Sequence, residues 1–258
     1  MDFTPIITQF FIALWYLIPI AIFVAVIKTS WFKSAAGEFI VNIGAKLFLD
    51  KEQYHLIKNV TLPTEDGTTQ IDHIIVSKFG VFVVETKNMK GWIFGSPNQK
   101  IWTQKIYKHS SKFQNPLHQN YKHTKTLESL LGLSDSQLFS VIVFVGDSEF
   151  KTAMPENVTH GKGYIRFIKS KKTPVLTDSQ EKDVIAKIKT GRLTPSFKTK
   201  REHVTHIQSI AIDKEKTQNC PKCNGAMALR NVTKGQNKGN KFWGCSKSPN
   251  CRGIMNIK

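Results

Sequence analysis

Two carboxylates and an amine, Asp72, Glu85 and Lys87, interrupt an otherwise apolar stretch that reads QIDHIIVSKFGVFVVETKN from Gln70 to Asn88. Ile71–Ser77 and Val81–Thr86 are runs rich in β-branched residues, separated by Lys78-Phe79-Gly80, which is the pattern of a β-hairpin. Both runs are apolar on both faces, as expected of central strands covered on two sides. A carboxylate placed there costs free energy unless something compensates its charge. A divalent cation is the obvious compensation. Two acids beside a lysine are the composition of a metal-dependent nuclease site. The same composition also suits a plain salt-bridged hairpin in which Lys87 only neutralises Asp72 and Glu85.

Strand geometry sharpens the expectation. Glu85 and Lys87 share a face with Val83, because side chains alternate along a strand. A turn of effectively two residues would set Lys78 opposite Val81 and Asp72 opposite Lys87, bringing all three groups to one side. An unbulged three-residue turn would pair Asp72 with Thr86 and turn it to the wrong face; a Gly bulge would repair that register.

Asp72 followed by Glu85-Thr86-Lys87 resembles the PD-(D/E)xK signature of restriction-endonuclease-like enzymes. The wider frame is similar to the nuclease-related domain, NERD, found in bacterial and some plant proteins. It comprises Gly37-Glu38, Leu62-Pro63, Gln70-Ile71-Asp72-His73, Gly80-Val81-Phe82, Glu85-Thr86-Lys87-Asn88, Gly91, Trp102 and Asn115-Pro116 with Gln119-Asn120. This resemblance runs from about Ala35 to Leu133 and implies an α/β/α layered domain. It implies Asp72 and Glu85 as ligands for Mg²⁺ or Mn²⁺, with the Thr86 carbonyl as a third. Lys87 would orient the attacking water or stabilise charge on the phosphate. It also places Glu38 near the active site; by the residues alone, Glu38 reads equally as a first-turn acid favoured by the helix dipole.

A second group of chemistry-bearing residues lies at the other end. Cys220, Cys223, Cys245 and Cys251 are the only cysteines, spaced Cys-x2-Cys-x21-Cys-x5-Cys. Four soft thiolates in two knuckles suit tetrahedral Zn²⁺, which so short a segment needs in order to fold. The run Cys220-Pro-Lys-Cys223-Asn-Gly, then Lys241-Phe242-Trp243-Gly244-Cys245-Ser246 and Pro249-Asn250-Cys251, resembles the C-terminal zinc finger of bacterial type IA topoisomerases. That resemblance implies single-stranded DNA binding, with Phe242 and Trp243 as stacking groups and Arg230, Lys234, Lys238 and Lys241 on phosphates. Packing in the small core is the competing reading of the aromatics, and at least as good for Phe242. No strand-passing tyrosine motif accompanies the finger, so topoisomerase activity is rejected.

The elements that must position these groups follow from patterning. The chain has 258 residues, enough for one medium domain and a small module, and 37 Lys+Arg against 19 Asp+Glu give a formal charge of +18. Such a field favours a polyanion, whether nucleic acid or an anionic membrane. Ile6 to Ile27 carries no charged side chain and would span about 33 Å as a helix. Trp15-Tyr16 and Trp31 suit the interfaces, and Lys28 and Lys33 follow, so a retained single anchor in a bacterial-type inner membrane is expected, with all that follows it cytoplasmic. A cleaved signal peptide fits poorly, lacking a basic leader and a cleavage site before the lysines.

Ala36–Leu49 reads as a helix with an apolar stripe of Phe39, Ile40, Ile43, Leu47 and Phe48. Tyr54–Leu62 reads as a strand, Ile93 as the start of a short one, and the residues through Trp102-Thr103-Gln104 as a basic loop. Trp102 and Gln104 could reach substrate, although Trp is more often core. Pro116–Leu131 is a helix capped by Asn115, on which Gln119 could aim its amide at the site; His118 and His123 read as surface residues. Leu138–Val145 and Tyr164–Ile168 read as strands, and Asp178–Thr190 as a helix capped by Thr177 or Asp178. The expected domains are a span at 6–27, the NERD-like domain at 35–192, a basic linker at 193–218 with a short strand at His206–Ile212, and the finger at 219–258. The function these imply is a membrane-anchored, metal-dependent DNA nuclease with no small-molecule cofactor; the alternative is a non-catalytic DNA tether on a decayed nuclease fold.

Overall fold

A computed structural model describes residues 4–64, 67–193, 220–225, 227–231 and 241–256. The expected linker, apart from Leu193, and the strand at His206–Ile212 lie outside them. The chain divides into two compact units, Met1–Glu65 with Thr69–Thr194, and Asp66–Thr68 with Pro195–Lys258.

In the first unit, α1 (Thr4–Lys28) and α2 (Ser30–Phe48) precede β1 (His55–Thr64), β2 (Gly67–Ser77), β3 (Gly80–Asn88), β4 (Gly91–Phe94), β5 (Ile101–Ile106) and β6 (His109–Gln114). Then come α3 (Pro116–Leu131), β7 (Leu138–Val145), β8 (Ser148–Phe150), β9 (Val158–His160), α4 (Gly163–Ser170) and α5 (Asp178–Gly191). Five strands form a sheet in the order β1-β2-β3-β7-β9, with β2 antiparallel to β3 and β3, β7 and β9 mutually parallel. Strand alternation sends Val81 and Val83 to one face, where they pack with Leu127 and Leu131 of α3 and Val184 and Ile188 of α5. It sends Phe82 and Val84 to the other, against Val41 and Ala45 of α2 and Ile165 and Ile168 of α4. The result is a layered α/β/α unit.

Three expectations are corrected. Tyr164–Ile168 belongs to helix α4, where Tyr164, Ile165 and Ile168 are buried at helical spacing; five residues are too few to separate that period from alternation. The supposed basic loop is a hairpin, β5–β6, in a second sheet ordered β6-β5-β4-β8. Its β6 residues are nearly all exposed, so the apolar alternation that marks a strand was missing. Helix α2 begins at Ser30, capped by Thr29, whose hydroxyl accepts from Phe32 N–H at 3.2 Å. Its buried residues are Gly37, Val41 and Ala45, while the expected apolar stripe, Phe39, Ile40, Ile43, Leu47 and Phe48, is exposed.

Over the residues whose side chains are described, no single helix is long and apolar enough to cross a membrane. Leu17–Lys28 and Trp31–Phe48 pass that test only as a pair, bent by 67°. The first part of the expected span, through Leu14, and Tyr16 lie outside the described side chains.

In the second unit β10 (Met227–Asn231), β11 (Lys241–Cys245) and β12 (Ile254–Asn256) form an antiparallel sheet.

Candidate active site

The hairpin register decides which groups meet. Ser77 pairs with Gly80, Val76 with Val81 and His73 with Val84. The turn is therefore the two residues Lys78-Phe79, and continuing the register sets Asp72 opposite Glu85, not opposite Lys87 as expected. The slip is two residues, an even number, so it preserves the face. Asp72, Glu85 and Lys87 lie on the α3 side of the sheet. Gly80 makes the tight turn possible: its φ of +130° disfavours a side chain, and a Cβ there would run into the Phe139 ring.

Within this cluster Lys87 Nζ donates to Glu85 Oε1 at 2.7 Å and to Gln119 Oε1 of α3 at 2.8 Å. Glu85 is buried, and its Oε2 faces His123 Nε2 at 3.4 Å with no well-formed hydrogen bond. The Thr69 hydroxyl lies 2.8 Å from His123 Nδ1. The Thr86 N–H donates to Asp72 Oδ2 at 3.0 Å.

Electrostatics separates the two acids. Burial, followed by the charge of Glu85, raises the Asp72 pKa to about 8, and Glu38 adds to the rise. Burial alone would raise Glu85 as well, but the contact with His123 and the charge of Lys87 outweigh it and hold Glu85 below the ordinary range. Pairs pushed apart in this way mark sites more often than scaffolds.

Helix α3 is held rigidly above the cluster. Asn115 caps it by accepting from Leu117 N–H, while its amide donates to the carbonyls of Ser96, Pro97 and Gln99. Buried Asn120 donates to the Val83 carbonyl at 2.8 Å and to Ser140 Oγ at 2.8 Å, tying α3 to β3 and β7. His123, taken from sequence as a surface residue, is buried and part of the cluster. Its position eight residues after the Asn115 cap was the available signal, since it shares a helix face with Gln119 and Leu127. His118, by contrast, is partly exposed and bonds the Pro97 carbonyl at 2.9 Å.

Glu38 lies in the third turn of α2, because the helix starts at Ser30, so the reading as a first-turn acid is overturned. It is near enough to act on Asp72, and Ser34 Oγ donates to its carboxylate at 3.5 Å. Gln104 is not brought into the cluster: its amide donates to the Lys90 carbonyl and accepts from Ser111 within the second sheet. Trp102 is fully buried, stacked on Phe144, and donates from Nε1 to the Ser96 carbonyl. A separate cleft of about 570 Å³ lies beyond the end of β3, lined by Lys90, Trp92, Lys105, Tyr107, Asp147 and Glu149 among others. Lys151 and Lys105 place their ammonium groups 4.8 and 5.9 Å from the Trp92 ring.

Comparison with known proteins bears on this segment. Residues 33–145 match the model of the NERD family, the nuclease-related domain. The match takes in β2, β3 and α3, hence every member of the cluster. An uncharacterized protein of Bacillus anthracis is 53% identical over 100 residues, which cover 38% of this chain and 47% of that protein. The chain thus spans about half the length of this curated relative. No solved structure matches the chain.

In the second unit the four cysteine sulfurs all lie within 4.8 Å of one another, an arrangement that could hold a metal ion. Cys220 and Cys251 sulfurs are 3.6 Å apart, and those of Cys223 and Cys245 3.5 Å. Metal–sulfur bonds of ~2.3 Å in a tetrahedron require sulfur separations of ~3.8 Å, so the donor set fits. Trp243 packs on this small core with Met227 and Met255, whereas Phe242 pairs with Arg230 across the ribbon. The core-packed aromatic is therefore Trp243 rather than Phe242. Arg230 is exposed, with Nη2 at 3.4 Å from the Cys245 carbonyl. Lys234, Lys238 and the side chain of Lys241 lie outside the described residues.

Proposed function

We propose that this chain is a membrane-anchored, divalent-metal-dependent nuclease that hydrolyses DNA phosphodiester bonds, with a zinc-holding DNA-binding unit at its C-terminal end. The observation that carries the reading is the convergence of Asp72, Glu85 and Lys87 on one sheet face beneath Gln119 and His123, inside the NERD match.

The donor set fits a hard divalent cation. Burial, and after it the Glu85 charge, raise the Asp72 pKa to about 8, and Glu85 Oε2 has no well-formed hydrogen bond; both conditions favour a cation. Asp72 and Glu85 would hold Mg²⁺ or Mn²⁺, with the Thr86 carbonyl as a further donor. Such an ion supplies charge neutralisation on the phosphate and lowers the pKa of a coordinated water. The chain's own groups do the rest. Lys87 presents a fixed ammonium group toward the scissile phosphate, held in place by Glu85 and Gln119. His123, fixed by Thr69, orients Glu85. Glu38 adds negative potential beside Asp72. Trp92 with Lys105 and Lys151 offers a stacking surface to unpaired bases, despite the acidic lip of Asp147 and Glu149. In the second unit Zn²⁺ on the four thiolates would leave Phe242 and Arg230 to meet single-stranded DNA. The apolar α1 would insert in a bacterial-type inner membrane, leaving the remainder cytoplasmic.

A nuclease assay tests the reading. The purified chain is expected to cut defined single- or double-stranded DNA with Mg²⁺ or Mn²⁺ and not in chelator. Asp72→Asn should lower cutting by at least ~100-fold while leaving DNA binding intact. Binding without cutting in any metal would replace this reading with that of a non-catalytic tether.

A further inference from the structure

We infer that α2 is an interfacial helix, seating the first unit directly on the membrane surface through a lipid-facing apolar stripe. The inference rests on the membrane anchoring proposed above.

The residues of α2 are arranged the opposite way round from those of a helix in a water-soluble domain. Its inner face is small: Gly37, Val41 and Ala45 lie against the sheet, and Gly44 lies under the Tyr164 hydroxyl, which donates to the Val41 carbonyl at 2.6 Å. Its outer face is large, with Phe39 62%, Ile40 52% and Leu47 71% exposed. At ~100° per residue, Phe32, Phe39, Ile40, Ile43 and Leu47 fall within an arc of ~100°, flanked at its edges by Lys33 and Lys46. That is the composition of an in-plane membrane helix, in which lysines at the rim reach anionic headgroups while their stems cover apolar surface.

Continuity with α1 selects lipid over other occupants. Every large apolar side chain described on α1 from Leu17 to Val26 is exposed, including Ile20, Ile22 and Phe23, so this stretch of α1 presents apolar surface all round. Only Thr29 separates the two helices, and it is fixed on both sides: its hydroxyl donates to the Val26 carbonyl at 2.7 Å and accepts from Phe32 N–H. The junction therefore carries α1's orientation into α2. The bend is 67°, so with α1 along the membrane normal α2 would lie 90° − 67° = 23° from the membrane plane. Trp31 lies at the bend, 62% exposed, where an interfacial aromatic belongs. Asp72, Glu85 and Lys87 lie on the α3 side of the sheet, so seating the outer face of α2 on lipid leaves that side uncovered, with Glu38 of α2 acting on Asp72 by its charge.

Photo-crosslinking tests this on the full chain in vesicles of phosphatidylcholine and phosphatidylglycerol. p-Benzoylphenylalanine is placed singly at Leu47 and at Phe23, both exposed positions whose replacement leaves packing intact. The expected result is lipid adducts at both positions, in yields of the same order. Lipid adducts at position 23, with position 47 crosslinking to a second copy, to another part of the chain, or not at all, would overturn the interfacial helix and leave the anchor standing. No lipid adduct at either position would remove the anchor and this inference together.

Discussion

Asp72 and His73 are neighbours on β2 that face opposite sides of the sheet, and their protons respond to folding with opposite signs. Burial and the Glu85 charge raise Asp72 from 3.8 to about 8, so between those values the folded chain holds a proton that the unfolded chain releases. Stability from this group falls as pH rises through that range. Burial depresses His73 from 6.5 to about 4, so in that interval the folded chain lacks a proton that the unfolded chain binds, and stability falls as pH falls. The two slopes cancel between about 4 and 6.5, leaving Asp72 alone above it. Metal-free protein should therefore lose stability from pH 6.5 to 8, and Asp72→Asn should flatten that decline. Thermal melts in chelator read this directly; a wild-type Tm that stays level over the interval would contradict the assigned cause. His123 belongs to the same scale. It touches Glu85 rather than substrate, so it is a positioning residue. His123→Ala should shift the pH–rate profile and weaken apparent metal affinity, whereas a purely structural role would lower Tm and leave the profile in place.

At the scale of elements, the β2–β3 turn sets the parity of the whole cluster. The resemblance to NERD placed Asp72, Glu85 and Lys87 together, but whether they shared a face depended on one loop residue more or less. The structure places two residues in the turn and pairs Gly80 with Ser77. Gly80→Val should force the backbone out of its positive φ and drive a side chain into the Phe139 ring. A loss of ~2–3 kcal/mol in denaturant unfolding is expected, accompanied by reduced activity even where the protein remains folded. Elements whose apolar period was long and regular, α3, α5 and β7, were legible in the sequence with their caps. The short or polar ones, α4 and the β5–β6 hairpin, were not. In a segment of five to six residues the helical and strand periods overlap, and an exposed strand carries no apolar alternation.

For the molecule as a whole, the two compact units depend on different forces. The first buries a continuous core on both faces of its sheet. Among the described residues the second has a core of Cys220, Met227 and Cys245 with Trp243, Cys251 and Met255 packed on it, too small to be stable without a cross-link. Chelation of bound metal should unfold the second unit and leave the unfolding transition of the first unchanged, as read by amide exchange resolved along the chain. Protection surviving in residues 220–256 after metal removal would mean that the thiol cluster is not what holds that ribbon together.

By itself the sequence determined what could be written locally: the acids and lysine on an apolar hairpin, the cysteine spacing, the apolar N-terminal helix, the caps of α3 and α5. Tertiary structure alone decided how those pieces meet. It put His123 against Glu85, because only the docking of α3 across β3 brings a helix position to a strand position. It withdrew Gln104 and Trp102 into the second sheet. It also turned the large face of α2 outward, since the helix meets the sheet and α4 through Gly37, Val41, Gly44 and Ala45, and even a Cβ at Gly37 or Gly44 would crowd Asn88 or Tyr164. Periodicity shows that a helix has two faces; which face is covered depends on the shape of what lies opposite.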